Sequence, residues 1–188
     1  MQPIAGLLLT GGRSTRMGVD KATLVIDGEP LARRVGRLLA EVARPALEVG
    51  PGSSELARAS VSDPAEGPLT AIVAGWLSLK ELGHAGAVIV LATDLPWLTH
   101  EVLGWLATAG HSSSVVPVVA GEPQPLCARW CQADLERAAR LAASGERAAR
   151  VALGPDAAYL DEAAWAAVAR SQAFSDVDRP EDLERHNP

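Results

Sequence analysis

Three basic side chains crowd one short stretch of an otherwise acidic chain. In LLLTGGRSTRMGVDK, Leu7 to Lys21, an apolar run stops at Gly11-Gly12, and Arg13, Arg16 and Lys21 follow within nine residues. A glycine turn straight after a strand leaves backbone N–H groups free to converge, and such a nest takes an anion. Arg16 can grip a phosphate bidentately, Arg13 adds donors, and Lys21 supplies a compact charge. Neither a Walker A spacing nor the G-x-G-x-x-G dinucleotide fingerprint is present. The chemistry these residues suit is phosphate binding of another kind, set against the plainer reading of a turn with solvated charges.

Carboxylates supply the second set. Asp94 follows the apolar run Ala87–Ala92, in Thr93-Asp94-Leu95-Pro96. A carboxylate just past a strand end stands where open α/β sheets bind ligands. Far downstream, Ser175-Asp176-Val177-Asp178 carries two more. If that piece is extended, Asp176 and Asp178 point to one side, and with Asp94 they could serve Mg²⁺ through hard oxygen ligands. Alternatively, Asp178 caps the turn entering Arg179-Pro180.

The elements that must position these residues follow from periodicity. Ile4 to Thr10 reads as a strand buried on both faces. Ala22 to Asp27 reads as a short extended piece ending at Asp27-Gly28. Pro30 opens a helix to Ala43, with Leu31, Val35, Leu38, Leu39 and Val42 on one stripe. Ala46–Val49 and Ala59–Ser62 are short strands, and Pro68–Glu81 is a second helix. Ala87–Ala92 is the strongest strand, and Thr99 caps a helix over His100–Ala109. Ser114–Val119 is a strand, Ala133–Ala143 a helix, Ala158–Leu160 a strand and Glu162–Ala169 a helix. Phe174–Val177 is a late extended piece. Pro117 to Trp130 does not alternate cleanly and reads as a strand or hairpin covering the site. Alternation of this kind predicts βαβ units, an α/β fold and a mostly parallel sheet in a single domain over 1–188.

Composition limits the function classes. Apolar residues make up 48% of 188, which excludes a disordered chain. The formal net charge of -6, without a basic run, argues against a nucleic-acid surface. No apolar stretch approaches the roughly 20 residues of a membrane helix, and no signal peptide opens the chain. Cys127 and Cys131 are too few for a thiolate metal site and read as structural thiols on one helix face, fitting a cytoplasmic location. Trp105 shares a stripe with Leu98 and Val102 and reads as core. Trp130, near Gln124-Pro125-Leu126, is open between core and ligand pocket.

Leu9-Thr-Gly-Gly-Arg-Ser-Thr-Arg-Met-Gly18 with Asp20-Lys21 resembles the signature of Rossmann-like nucleotidyltransferases, and among them the molybdenum cofactor guanylyltransferase family. Gly67-Pro68-Leu69 with Ala71-Ile72 resembles that family's Gly-Pro-Leu-Ala-Gly element. Asp94 with Pro96 resembles its metal-binding Asp-x-Pro, Gln124-Pro125-Leu126 its His-Pro-Leu, and Phe174 to Leu183 its terminal Asn-x-Asn-Thr-Pro-Glu-Asp-Leu. The resemblance implies a three-layer αβα fold and transfer of GMP from Mg-GTP to the terminal phosphate of molybdopterin, releasing pyrophosphate. It implies Leu9, Gly11 and Gly12 against guanine and ribose, Arg16 and Lys21 on the triphosphate, Asp63 near the nucleoside, and Mg²⁺ on Asp94. Gly11-Gly12, where cytidylyl relatives carry Ala-Gly, implies room for a purine. The acceptor is molybdopterin or a similar phosphorylated small molecule, with transient contact to cofactor-delivery proteins. Departures at Gln124, Asp176 and Asp178, where the family has His and Asn, bear on the acceptor. The alternatives are a cytidylyltransferase or another small-acceptor nucleotidyltransferase and, in a different class, a non-catalytic nucleotide-binding protein.

Overall fold

Five consecutive buried residues, Ala5–Leu9, form β1: the strand is flanked in the sheet by two parallel neighbours, and its side chains alternate into two core layers, Leu7 and Leu9 on one face and Leu8 on the other. The computed structural model describes residues 3–11, 22, 24–56, 60–110 and 112–177. Arg13, Arg16, Lys21, Gly12 and Asp178 lie outside them. After β1 come the two-residue strands β2 (Val25–Ile26) and β3 (Glu29–Pro30), which make a small hairpin around Asp27-Gly28. Helix α1 (Leu31–Val42) follows, then β4 (Ala46–Val49), α2 (Pro68–Glu81), β5 (Val88–Ala92) and α3 (His100–Thr108). The second half holds β6 (Val115–Val119), β7 (Glu122–Pro123), β8 (Cys127–Trp130), α4 (Gln132–Ala143), α5 (Ala149–Ala152), β9 (Ala158–Leu160) and α6 (Glu162–Trp165).

The main sheet runs β4-β1-β5-β8-β6, with β7 and β9 also paired to β6. β4, β1 and β5 are mutually parallel, and β9 is parallel to β6. β8 runs against both β5 and β6, so it is the reversed strand in a mostly parallel sheet. Helices cover both faces. One core layer joins Leu7, Val49, Leu69, Ile72, Trp76 and Leu79 to Trp130, Leu135 and Ala138, under α2 and α4. The other joins Leu8, Leu31, Val35 and Leu39 to Leu98, Val102, Leu106, Trp165 and Phe174, under α1 and α3. The result is the three-layer αβα arrangement expected of βαβ units.

Local chemistry explains the boundaries. Pro68 occupies the first turn of α2, where its missing N–H costs nothing. The Thr99 hydroxyl accepts from the Val102 N–H at the start of α3, and Glu101 lies in its first turn. Helix α1 buries Leu31, Val35 and Leu39 and turns Arg37 outward, 3.4 Å from Glu41.

Three expectations need correction. Glu162–Trp165 is a single turn that does not reach Ala169. The late extended piece starts one residue later than expected, because Phe174 closes a short 3-10 helix, Ser171–Phe174; Ser175 is extended, and Ser175–Val177 pairs in no sheet. The two cysteines do not share a helix face: Cys127 starts β8 and Cys131 precedes α4. The irregular stretch Pro117–Trp130 is the β6-β7-β8 hairpin, and its irregularity is a bulge. Val118 faces Pro123 and Val115 faces Arg129, so three steps along β6 are matched by six on the return. The excess lies between Gln124, whose N–H still donates to the Pro117 carbonyl at 2.9 Å, and Arg129.

Candidate functional site at the carboxyl edge of the sheet

The exits of β1 and β5 are stitched together. The Leu9 carbonyl accepts from the Thr93 N–H at 3.1 Å and from the Thr93 hydroxyl at 2.7 Å. Thr93 is buried, so its hydroxyl needs such a partner. The stitch fixes Asp94 two residues beyond the end of β5, beside the exit of β1. The carboxyl edge of parallel strands is where ligands of this fold class bind.

On the other flank of β1, Val49 does the fastening. Its carbonyl accepts from the N–H groups of Thr10 at 3.0 Å and Gly11 at 3.2 Å. This corrects one expectation: the Gly11 N–H is spent inside the sheet and is not free to cradle an anion.

Asp63 arrives beside Gly11 by a short extension of the sheet. Val61 bridges Val49 in parallel, its N–H donating to the Glu48 carbonyl at 2.7 Å. Asp63 then accepts from the Ala65 N–H at 2.9 Å through Oδ1. Its Oδ2 lies 1.7 Å from where a Cβ on Gly11 would stand. The space left by the missing side chain is filled by this carboxylate.

The bulge supplies the third wall. The Leu126 carbonyl accepts from the Ala92 N–H at 2.7 Å, one step past the Leu91–Cys127 pair, so the start of the bulge lies against the end of β5. The Trp130 indole is fully buried and donates to the Pro125 carbonyl at 3.0 Å. Trp130 is thus a core residue that holds Gln124-Pro125-Leu126 in place. The Gln124 side-chain amide donates back to the Glu122 carbonyl at 3.1 Å.

The late acidic segment returns to the same edge, where the Val177 N–H donates to the Asp94 carbonyl at 3.0 Å. Asp176 therefore borders the Asp94 turn. Among the described residues no three His, Cys, Asp or Glu side chains converge on a metal-sized site. Two neighbouring carboxylate-bearing segments still fit Mg²⁺, which is commonly held by one or two carboxylates plus waters and phosphate oxygens. Behind the Asp94–Trp97 turn, Arg34 donates to the Pro96 carbonyl at 3.2 Å. Trp97 and Arg34 line an open groove of about 510 Å³ that contains none of the expected site residues.

Residue reasoning therefore finds Leu9, Gly11, Asp63, Asp94 and Asp176 on one edge. It missed Thr93, Thr10 and Glu48. A lone Glu inside the apolar run Ala46-Leu-Glu-Val49 was the available signal, because a buried carboxylate must be answered by donors.

Residues 6–167 match the family model described as MobA-like NTP transferase domain. The chain belongs to this family. It is a nucleotidyltransferase on that ground, and relatives agree over nearly full length. A molybdenum cofactor guanylyltransferase of Cereibacter sphaeroides is 33% identical, with 96% of this chain and 93% of that one covered. Another, of Rhodobacter capsulatus, is 33% identical over 97% and 94%. Among solved structures, molybdopterin-guanine dinucleotide biosynthesis protein A of Archaeoglobus fulgidus superposes with a TM-score of 0.75 at 22% identity, covering 96% of this chain and 95% of its own. A 2-C-methyl-D-erythritol 4-phosphate cytidylyltransferase of Thermus thermophilus gives 0.63 at 19%, covering 98% and 97%. Both likenesses are of fold, the αβα arrangement described above. No helix among the described residues is long and apolar enough to cross a membrane.

Proposed function

We propose that this protein transfers GMP from GTP to the terminal phosphate of molybdopterin and releases pyrophosphate. The observation that carries the reading is the Leu9–Thr93 stitch, which sets the glycine turn and Asp94 side by side at the carboxyl edge. The relatives named as molybdenum cofactor guanylyltransferases, similar over nearly the whole chain, supply the nucleotide and the acceptor.

In this reading Leu9, Gly11 and Gly12 lie against guanine and ribose, and Asp63 borders the nucleoside. Arg16 and Lys21 hold the triphosphate, with Arg13 secondary. A Mg²⁺ held by Asp94, with Asp176 and Asp178 nearby, would offset charge on the leaving pyrophosphate. The acceptor needs no strong base, since a phosphate monoester with a second pKa of about 6 is mostly dianionic at pH 7. An oxygen of that phosphate attacks the α-phosphorus in line with the departing pyrophosphate. The histidines suit this economy: His84 is bonded to the Ala87 carbonyl, and His100 lies 4.0 Å from Glu41 on the far side of α1 and α3. A cytoplasmic setting matches a GTP-consuming step and two free thiols.

The test uses GTP labelled at either the α- or the γ-phosphate, with molybdopterin as acceptor. Transfer of the α-label to the pterin, with the γ-label leaving as pyrophosphate, is the expected result. Release of γ-label as inorganic phosphate alone would replace transfer by simple hydrolysis.

A further inference from the structure

Glu48 takes no part in the roles above, yet it is the most heavily bonded carboxylate near the site. It stands in β4 opposite Leu8 of β1 and is 2% exposed. One of its oxygens accepts from the Thr10 hydroxyl and from the N–H groups of Gly52 at 2.9 Å and Ser53 at 2.8 Å. The other accepts from the Ser54 N–H at 2.8 Å and from the Ser54 hydroxyl. Three consecutive backbone N–H groups turned onto one anion form a nest, and here the anion is internal.

The latched loop presses on the glycine turn. A Cβ on Gly50 would stand 2.1 Å from the Thr10 hydroxyl oxygen and 2.8 Å from the Gly11 nitrogen. On its outer side, Ser54 Cβ is 2.9 Å from where a Cβ on Gly36 of α1 would be. The loop is thus held between α1 and the exit of β1, and its grip on Thr10 sets where the Leu9–Gly11 backbone runs.

The geometry points to Glu48 as a positioning residue for the nucleotide site: it latches the Gly50–Ser54 loop to Thr10 and so fixes the backbone edge that receives the nucleoside. This rests on the proposal that Leu9, Gly11 and Gly12 contact the nucleoside. Glu48→Gln is the informative change. An amide has one acceptor oxygen, and its NH₂ would face a backbone donor, either Ser54 N–H or the Gly52 and Ser53 pair.

The experiment compares full-length wild type, Glu48→Gln and Ser54→Ala by GTP titration calorimetry, turnover and amide hydrogen exchange. In Glu48→Gln, loss of charge-assisted bonds should raise the GTP Kd and KM about tenfold while kcat stays within about threefold. Exchange at the amides of Gly52, Ser53 and Ser54 should speed up in the same variant. Ser54→Ala removes one donor and keeps the carboxylate, so it should fold in any case and raise the Kd about threefold. Faster loop exchange with unchanged GTP affinity would overturn the proposal and leave Glu48 a purely structural residue. If Glu48→Gln fails to fold, unchanged affinity in Ser54→Ala would overturn it equally. Wild type that binds no GTP would overturn the nucleotide reading and this one together, whereas wild type that binds beside an equally tight Glu48→Gln overturns this one alone.

Discussion

Gly11 has no room for a side chain, because the Asp63 carboxylate occupies the place of its Cβ. Gly11→Ala should therefore displace Asp63, costing about 1–3 kcal/mol as an overpacked site does and raising the KM for GTP. Thermal melts and steady-state kinetics check the two effects separately. Asp94→Asn removes a charge at the edge where the transferred phosphate would lie. Turnover should fall on the order of 10²-fold, with the fold intact by circular dichroism. Lys21→Ala should weaken both affinity and rate. Cys127 tests burial rather than chemistry: desolvation pushes its thiol up to about 12, so it should resist a thiol reagent at pH 8 until the protein unfolds.

Most elements were legible from periodicity, since each βα unit in the first half buries one clean stripe. Pro68–Glu81 and Ala158–Leu160 match the expected bounds. The bulge between Gln124 and Arg129 was not legible, because an excess of three residues becomes visible only when both hairpin strands are paired. The late segment Ser171–Val177 escaped for a related reason: short 3-10 turns have no strong period. At the site, Asp94 was readable from its place after a strand. Glu48 and Asp134 were not, because their donors come from distant loops. Asp134, at the start of α4, accepts from the Ser114 hydroxyl and from the Gly154 N–H at 2.9 Å. Asp134→Ala leaves buried donors unanswered and should cost about 3 kcal/mol in chemical denaturation. It should leave kcat/KM unchanged, since this network tethers α4 to the loops before β6 and β9.

For the whole molecule, acid stability has an identifiable source. Burial pushes the Glu48 carboxyl up, but hydrogen bonds from Ser54, Thr10 and Ser53 more than offset that, and its pKa is lowered. A carboxyl lowered in the folded state contributes stability that is present above its unfolded pKa, about 4.3, and is lost as pH falls through the folded value. Unfolding free energy should therefore decline below about pH 5, and Glu48→Gln should flatten that decline. Across the sheet, a single carboxyl edge gathers the glycine turn, Asp63, Asp94 and the returning Asp176 segment. The activity proposed for this edge is Mg²⁺-dependent guanylyl transfer. The most direct test incubates metal-stripped protein and molybdopterin with GTP, CTP, ATP or UTP, with and without Mg²⁺, and follows pyrophosphate. Release is expected with GTP and Mg²⁺ only. Release with CTP in place of GTP, or equal release from GTP without the metal, would contradict it.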